Sequence, residues 1–205
     1  MKQLDQARWD ALWLRLGAPA PEGSFDQLRE AYGAPQRQYH STAHISACLG
    51  HFDEWSHLAD HPDRVELALW THDLVYDPQR QDNEAASAEQ TVAWLLQAGL
   101  GEHGEALRGL ILATRHMEPP RAGDAELVVD LDLSILAAPR EVYDAYEKAV
   151  RAEYEWVPEP LFRAGRSKLL KQLLDMPRLY HKTPLAQRWE QPARENLLGA
   201  LKALA

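Results

Sequence analysis

Leu69-Trp70-Thr71-His72-Asp73-Leu74-Val75-Tyr76-Asp77 places an imidazole beside a carboxylate within an otherwise apolar run. Burying two such groups costs several kcal/mol unless something binds them, and a metal ion is the natural binder. Upstream, Val65, Ala68, Leu69 and His72 recur at i, i+3, i+4 and i+7, which predicts a helix with His72 on its inward face. Asp63, with Glu66 three residues on, is the expected capping box. Asp73 sits about 100° further round the helix, so the two side chains do not naturally meet, but both can reach one ion placed between their directions.

The same helical period fills the sequence on both sides. Trp9, Leu12, Trp13 and Leu16 form a first stripe ending at Gly17, and Ser24 with Gln27 reads as a capping box for a helix carrying Phe25, Leu28 and Tyr32. Tyr39-His40-Ser41-Thr42-Ala43-His44 opens a helix whose inward stripe is His44, Ile45, Cys48, Leu49, Phe52 and Trp55. His44 begins that apolar face, where a purely structural histidine is the alternative. Cys48, the single cysteine, is expected as a buried reduced thiol. His51, His57 and His61 fall off the stripe and are assigned to solvent.

Downstream, Asn83-Glu84 opens a helix running to Gly99, and Leu107, Leu110, Ile111 and Thr114 define another that ends in Arg115-His116-Met117-Glu118 before Pro119-Pro120. Asp124 is the expected cap of a helix from Ala125 to Ala137, apolar nearly all round and so central to the fold. Within it Asp132 shares a stripe with Val128, Leu131 and Ile135, whereas Asp130 aligns with Ser134. Asp132 is the preferred inward ligand and Asp130 the alternative. Helices around Tyr143–Tyr154, Phe162–Leu173 and from about Thr183 to Leu201 complete the chain. No segment alternates as a strand would, so the fold class is all-α.

Length and charge narrow the function. At 205 residues the chain fits one domain, with a metal-binding core at about 36–140 and C-terminal helices at 141–205. A net charge of -9 argues against a nucleic-acid polymer as partner. No run approaches the roughly 20 apolar residues of a membrane span, and the N-terminus lacks a signal-peptide pattern, so a cytoplasmic protein is expected. The seven tryptophans and the aromatic helix from Tyr143 serve core packing or a homodimer interface, core packing being the commoner use.

His44, His72-Asp73 and Asp132, in that chain order on three core helices, resemble the HD-domain superfamily of metal-dependent phosphohydrolases. The matching pieces are 39–45, Trp70 to Pro78, Asn83-Glu84 and Asp130 to Leu136. The likeness extends over Tyr143, Tyr146, Arg151, Glu153 and Tyr154, Gly165-Arg166, and Ala193 to Leu197, and points to an uncharacterised stand-alone bacterial branch. It implies a single-domain helical bundle of HD type, with His44, His72, Asp73 and Asp132 as ligands of one divalent ion. Two imidazoles and two carboxylates suit manganese, iron, cobalt, nickel, zinc or magnesium without choosing among them. The implied activity is attack of a metal-activated water on a small phosphorylated substrate, a nucleotide being the leading class.

Around that set, Glu84 is either a general base or favourable charge at a helix N-terminus. His116 either faces substrate or complements a helix C-terminus. His40 and Arg166 are the candidate phosphate contacts. An HD-type iron oxygenase would want more histidines than the interval before Asp132 offers. A non-catalytic metal-containing binding protein is the remaining alternative.

Overall fold

The computed structural model describes residues 4–116 and 118–204. Among them 72% are helical and none forms a strand. The chain divides into two compact units, Met1–Leu131 and Asp132–Ala205.

The first unit holds α1 (Gln6–Leu16), α2 (Ser24–Gly33), α3 (Thr42–Trp55), α4 (Pro62–Thr71), α5 (Asn83–Gln97), α6 (Gly104–Ala113) and α7, which begins at Asp124 and ends on Asp132. Its central element is α4, which packs against α1, α3, α5 and α6. Every residue from Val65 to Thr71 is buried, the signature of a helix enclosed on all sides. Trp9 of α1 meets Trp13, Trp70 and Trp94 edge to face at centroid distances of 5.6, 5.4 and 5.9 Å. Each such pair contributes about 0.5–1.5 kcal/mol beyond the area it buries. The expected end of α1 is found, with Gly17 at φ 118° donating to the carbonyls of Trp13 and Leu14.

Two expected caps are replaced. Helix α2 is preceded by Gly23 at φ 73° with no side-chain cap, because the Ser24 hydroxyl instead accepts the indole N–H of Trp9 at 3.1 Å. Helix α4 starts at Pro62 with His61 before it, so Asp63 lies inside the first turn. Glu66 does not reach back to form a capping box, because Arg8 and Arg15 hold its carboxylate at 2.6 and 2.5 Å.

The expected helix from Ala125 to Ala137 is also shorter. Helix α7 stops at Asp132, and a 3-10 turn takes Leu133–Ala137. Asp124 accepts the backbone N–H groups of Asp60 and His61 at 2.7 and 3.0 Å, which anchors the start of α4.

The second unit contains that 3-10 turn, α8 (Arg140–Glu153), α9 (Glu159–Asp175) and α10 (Thr183–Leu204). Helix α10 packs along the 3-10 turn, α8 and α9. Tyr143, Leu170, Leu185, Ala193 and Leu197 form its core. Asn196 on α10 donates to the carbonyls of Leu136 and Ala138 at 2.9 and 2.8 Å, so the turn's unused acceptors are satisfied.

Candidate metal centre

The turn after α4 explains how two adjacent side chains reach one point. Helix α4 ends at Thr71, and His72 occupies the position just past it, its backbone N–H still donating to the Ala68 carbonyl at 2.9 Å. Asp73 is therefore outside the helix. His72 itself keeps helical dihedrals, φ -59° and ψ -33°, and the Asp73 carboxylate reaches to within 3.3 Å of His72 Nε2.

His44, in the first turn of α3, completes a triangle. Its Nε2 lies 3.2 Å from His72 Nε2 and 3.5 Å from Asp73 Oδ2. A donor oxygen of Asp132, half-buried at the end of α7, lies within 4.8 Å of donor nitrogens of His44 and His72, a group that could hold a metal ion. The boundary between the two units falls at the last peptide of α7, so this carboxylate rides on a helix whose body lies in the first unit. Asp130, the alternative ligand, is fully buried.

Hydrogen bonding fixes what these atoms offer. His72 Nδ1 is 3.1 Å from the Leu69 carbonyl, which only accepts, so Nδ1 carries the proton. In the neutral ring Nε2 then turns a lone pair toward His44 and Asp73, the arrangement typical of a metal-bound histidine. A lone pair facing a carboxylate oxygen at this range demands a positive charge between them, from a second proton on the ring or from a cation. Burial favours the protonated acid at Asp73, but the positive potential of His72, then His40 and His44, outweighs it and holds the carboxyl well below its usual range.

The geometry accommodates an ion. A triangle of about 3.3 Å sides has a circumscribed radius of about 1.9 Å, just under the roughly 2.0–2.2 Å at which imidazole nitrogen and carboxylate oxygen bind divalent metals. One ion near the centre therefore reaches all three donors with little adjustment. Mixed nitrogen and oxygen donors of this kind fit the divalent ions expected from the sequence and do not choose among them.

The remaining sequence-derived residues fall into distinct settings. His40 lies before α3 rather than on it. Its ring stacks on Tyr76 at 4.0 Å and meets Tyr39 edge-on at 4.9 Å, while Tyr39 lies 4.8 Å from His44. Glu84 is half-buried in the first turn of α5, where its charge suits the helix dipole. The loop leading to it is pinned: Ser87 Oγ accepts the N–H of Val75 and donates to the Val75 carbonyl, and Asn83 bonds both backbone groups of Asp77.

His116 stands three residues past α6 with φ 52°, a left-handed conformation unusual for a residue bearing a side chain. Its neighbour Met117 lies outside the described residues. Arg166, in the second unit, is buried and forks onto Glu147 at 2.7 and 3.0 Å, with a third bond to the Tyr146 hydroxyl at 2.9 Å. Burial raises the pKa of that hydroxyl; Arg166 opposes the rise and the Asp132 charge adds to it. Arg166 thus holds an internal carboxylate.

Cys48 is buried and reduced as expected, its sulfur 3.7 Å from His44 Nδ1 and 3.8 Å from the Leu131 carbonyl. Arg37 and Tyr76, which flank the cluster, went unread in the sequence because neither sits on a periodic stripe. The one available signal was an arginine three residues before His40. Compared with known proteins, the chain matches no family model, no curated protein and no solved structure.

Proposed function

We propose that the chain is a metal-dependent phosphohydrolase of HD type acting on a small phosphorylated molecule, with a nucleotide as the leading substrate class. The observation that carries this reading is the triangle of His44 Nε2, His72 Nε2 and Asp73 Oδ2 within 3.5 Å, with Asp132 closing on the two histidines. These four residues would hold one divalent ion. When bound, such an ion supplies an acidified water and polarises a phosphoryl oxygen.

The chain's own groups then have separable tasks. The Leu69 carbonyl keeps the proton of His72 on Nδ1 and so keeps Nε2 available for binding. His40, stacked on Tyr76, would donate a hydrogen bond to a phosphate oxygen. Glu84, fixed by the Val75–Ser87 and Asp77–Asn83 bonds, is the candidate for moving a proton to or from the attacking water. His116 is a second candidate for facing substrate, and its left-handed backbone favours a functional reason for its placement.

The test is a phosphate-release screen of metal-stripped protein, re-supplied with each divalent ion in turn, against nucleotides and sugar phosphates, with Asp73→Ala as control. Metal-dependent release that the substitution abolishes is the expected outcome. Ion binding without release from any compound would reject hydrolysis and favour a binding protein.

A further inference from the structure

The backbone of the turn that carries Asp73 is held by a buried cation, Arg37. Its guanidinium donates from Nη1 to the Asp73 carbonyl at 2.5 Å and from Nη2 to the Leu74 carbonyl at 2.8 Å. Nη1 also lies 3.4 Å from the His40 carbonyl. Two rings flank the group, with its central carbon 5.2 Å from the Tyr32 centroid and 5.6 Å from that of Tyr76. Tyr76 is the ring on which His40 stacks, and the Tyr32 hydroxyl donates to the Trp70 carbonyl at 2.9 Å. One planar fork therefore spans the segment before α3 and the segment after α4, the two that carry His40 and Asp73.

We propose that Arg37 is a positioning residue of the metal centre: by clamping the Asp73, Leu74 and His40 carbonyls it fixes the Asp73 carboxylate in the ligand set. This rests on the metal-site reading above. The physical ground is where the helix ends: His72 still has helical dihedrals (φ -59°, ψ -33°), and Arg37 bonds the carbonyls of the two residues that follow it. The Asp73 oxygen lies 3.3 Å from His72 Nε2, and it keeps that place only if the turn carrying Asp73 and Leu74 is held. Leu74 N–H donating to the Thr71 carbonyl at 3.1 Å closes that turn from within, and Arg37 closes it from the other side. Lysine retains the charge but cannot bridge three carbonyls in one rigid plane.

Titration of metal-stripped, full-length protein with Co²⁺ alone tests this, following the visible absorption bands of the bound ion together with affinity, and urea unfolding of the stripped protein. Arg37→Lys is expected to weaken Co²⁺ binding about 10- to 100-fold, the usual effect of losing a group that orients a ligand. It should also shift the absorption bands while the stripped protein unfolds close to the wild-type midpoint. Unchanged affinity and bands in folded Arg37→Lys overturn the proposal.

Tyr76→Leu gives a second test that stands if the lysine variant fails to fold. It removes the ring shared by Arg37 and His40, and it should move affinity and bands in the same direction by a smaller factor; no movement overturns the clamp. Asp73→Ala separates the two levels. Wild-type Co²⁺ binding that survives Asp73→Ala rejects the metal site itself and the clamp with it, whereas binding lost in Asp73→Ala but untouched by Arg37→Lys and Tyr76→Leu rejects the clamp alone.

Discussion

Helix α4 buries one acid, Glu66, midway along its length, and a second, the half-buried Asp73, follows its C-terminal end; the two are answered in opposite ways. Glu66 is 4% exposed and lies between Arg8 and Arg15, which themselves reach out to Asp53 and Asp63. Asp73 is crowded by two imidazole nitrogens that also crowd each other. A carboxylate answered by guanidinium is electrostatically settled, and removing either partner leaves the other charge exposed to burial cost. Donors that converge on one point, one of them with its tautomer fixed and its lone pair turned inward, gain most when a cation joins them. The first arrangement ties α1 to α4; the second is the one a cation could join.

That contrast is broken most decisively by substituting both acids in parallel. Asp73→Ala should lower metal-dependent phosphate release by at least about 10³-fold, roughly 4 kcal/mol of lost transition-state stabilisation. The urea midpoint of the metal-stripped protein should fall little or even rise. Glu66→Ala should do the reverse, destabilising the fold by about 1.5–3 kcal/mol, since it removes the buried carboxylate that both arginines share, while leaving metal affinity intact. Equal losses of stability in the two variants would show that Asp73 is a structural acid like Glu66.

Added metal sharpens the same distinction. At a free concentration of 100 times its Kd, an ion that binds only the folded state stabilises it by about 2.7 kcal/mol. Thermal unfolding with and without ion should show that increment in wild type and in Glu66→Ala alike, and none in Asp73→Ala. An increment retained in Asp73→Ala would place the ion elsewhere.

The sequence carried the ligand chemistry further than the backbone that delivers it. His44, Cys48 and His72 were legible as buried because each sits on a helical stripe, and Asp132 was preferred over Asp130 by the same spacing. Periodicity reports only which residues share a face, however. It extended α4 through Asp73 and α7 through Ala137, because a helix end set by a tertiary partner leaves no mark in the local pattern. The caps failed for a related reason: Ser24 and Glu66 had stronger distant partners in Trp9 and the two arginines. Arg166 read as a phosphate clamp by its charge and the geometry of its fork, and only the fold reveals that Glu147 occupies that fork.

Arg166 extends the comparison to the second unit, where the half-buried Glu147 is, like Glu66, an acid answered by guanidinium. Arg166→Lys keeps the charge and loses the fork, and should cost about 1–2 kcal/mol in urea unfolding, in line with a hydrogen-bonded charge pair that is only partly broken. If Arg166 served substrate phosphate instead, the substitution would raise KM and leave the unfolding midpoint unchanged.

The smallest effect separates the two arms of the Glu66 cluster. The Arg15 side chain is 45% exposed and that of Arg8 24%, so water screens the Arg15 arm more. Arg15→Ala leaves Glu66 still held by Arg8 at 2.6 Å, and the cost should be only about 0.5–1 kcal/mol, the range of solvent-exposed ion pairs. Arg8→Ala should cost more. Raising the salt concentration should shrink the Arg15 contribution first, because exposed charges lose their attraction within a Debye length of about 3 Å at 1 M. Urea midpoints of both variants at low and high salt check this, and an Arg15→Ala loss that equals the Arg8→Ala loss and ignores salt would mean the two arms act as one buried unit.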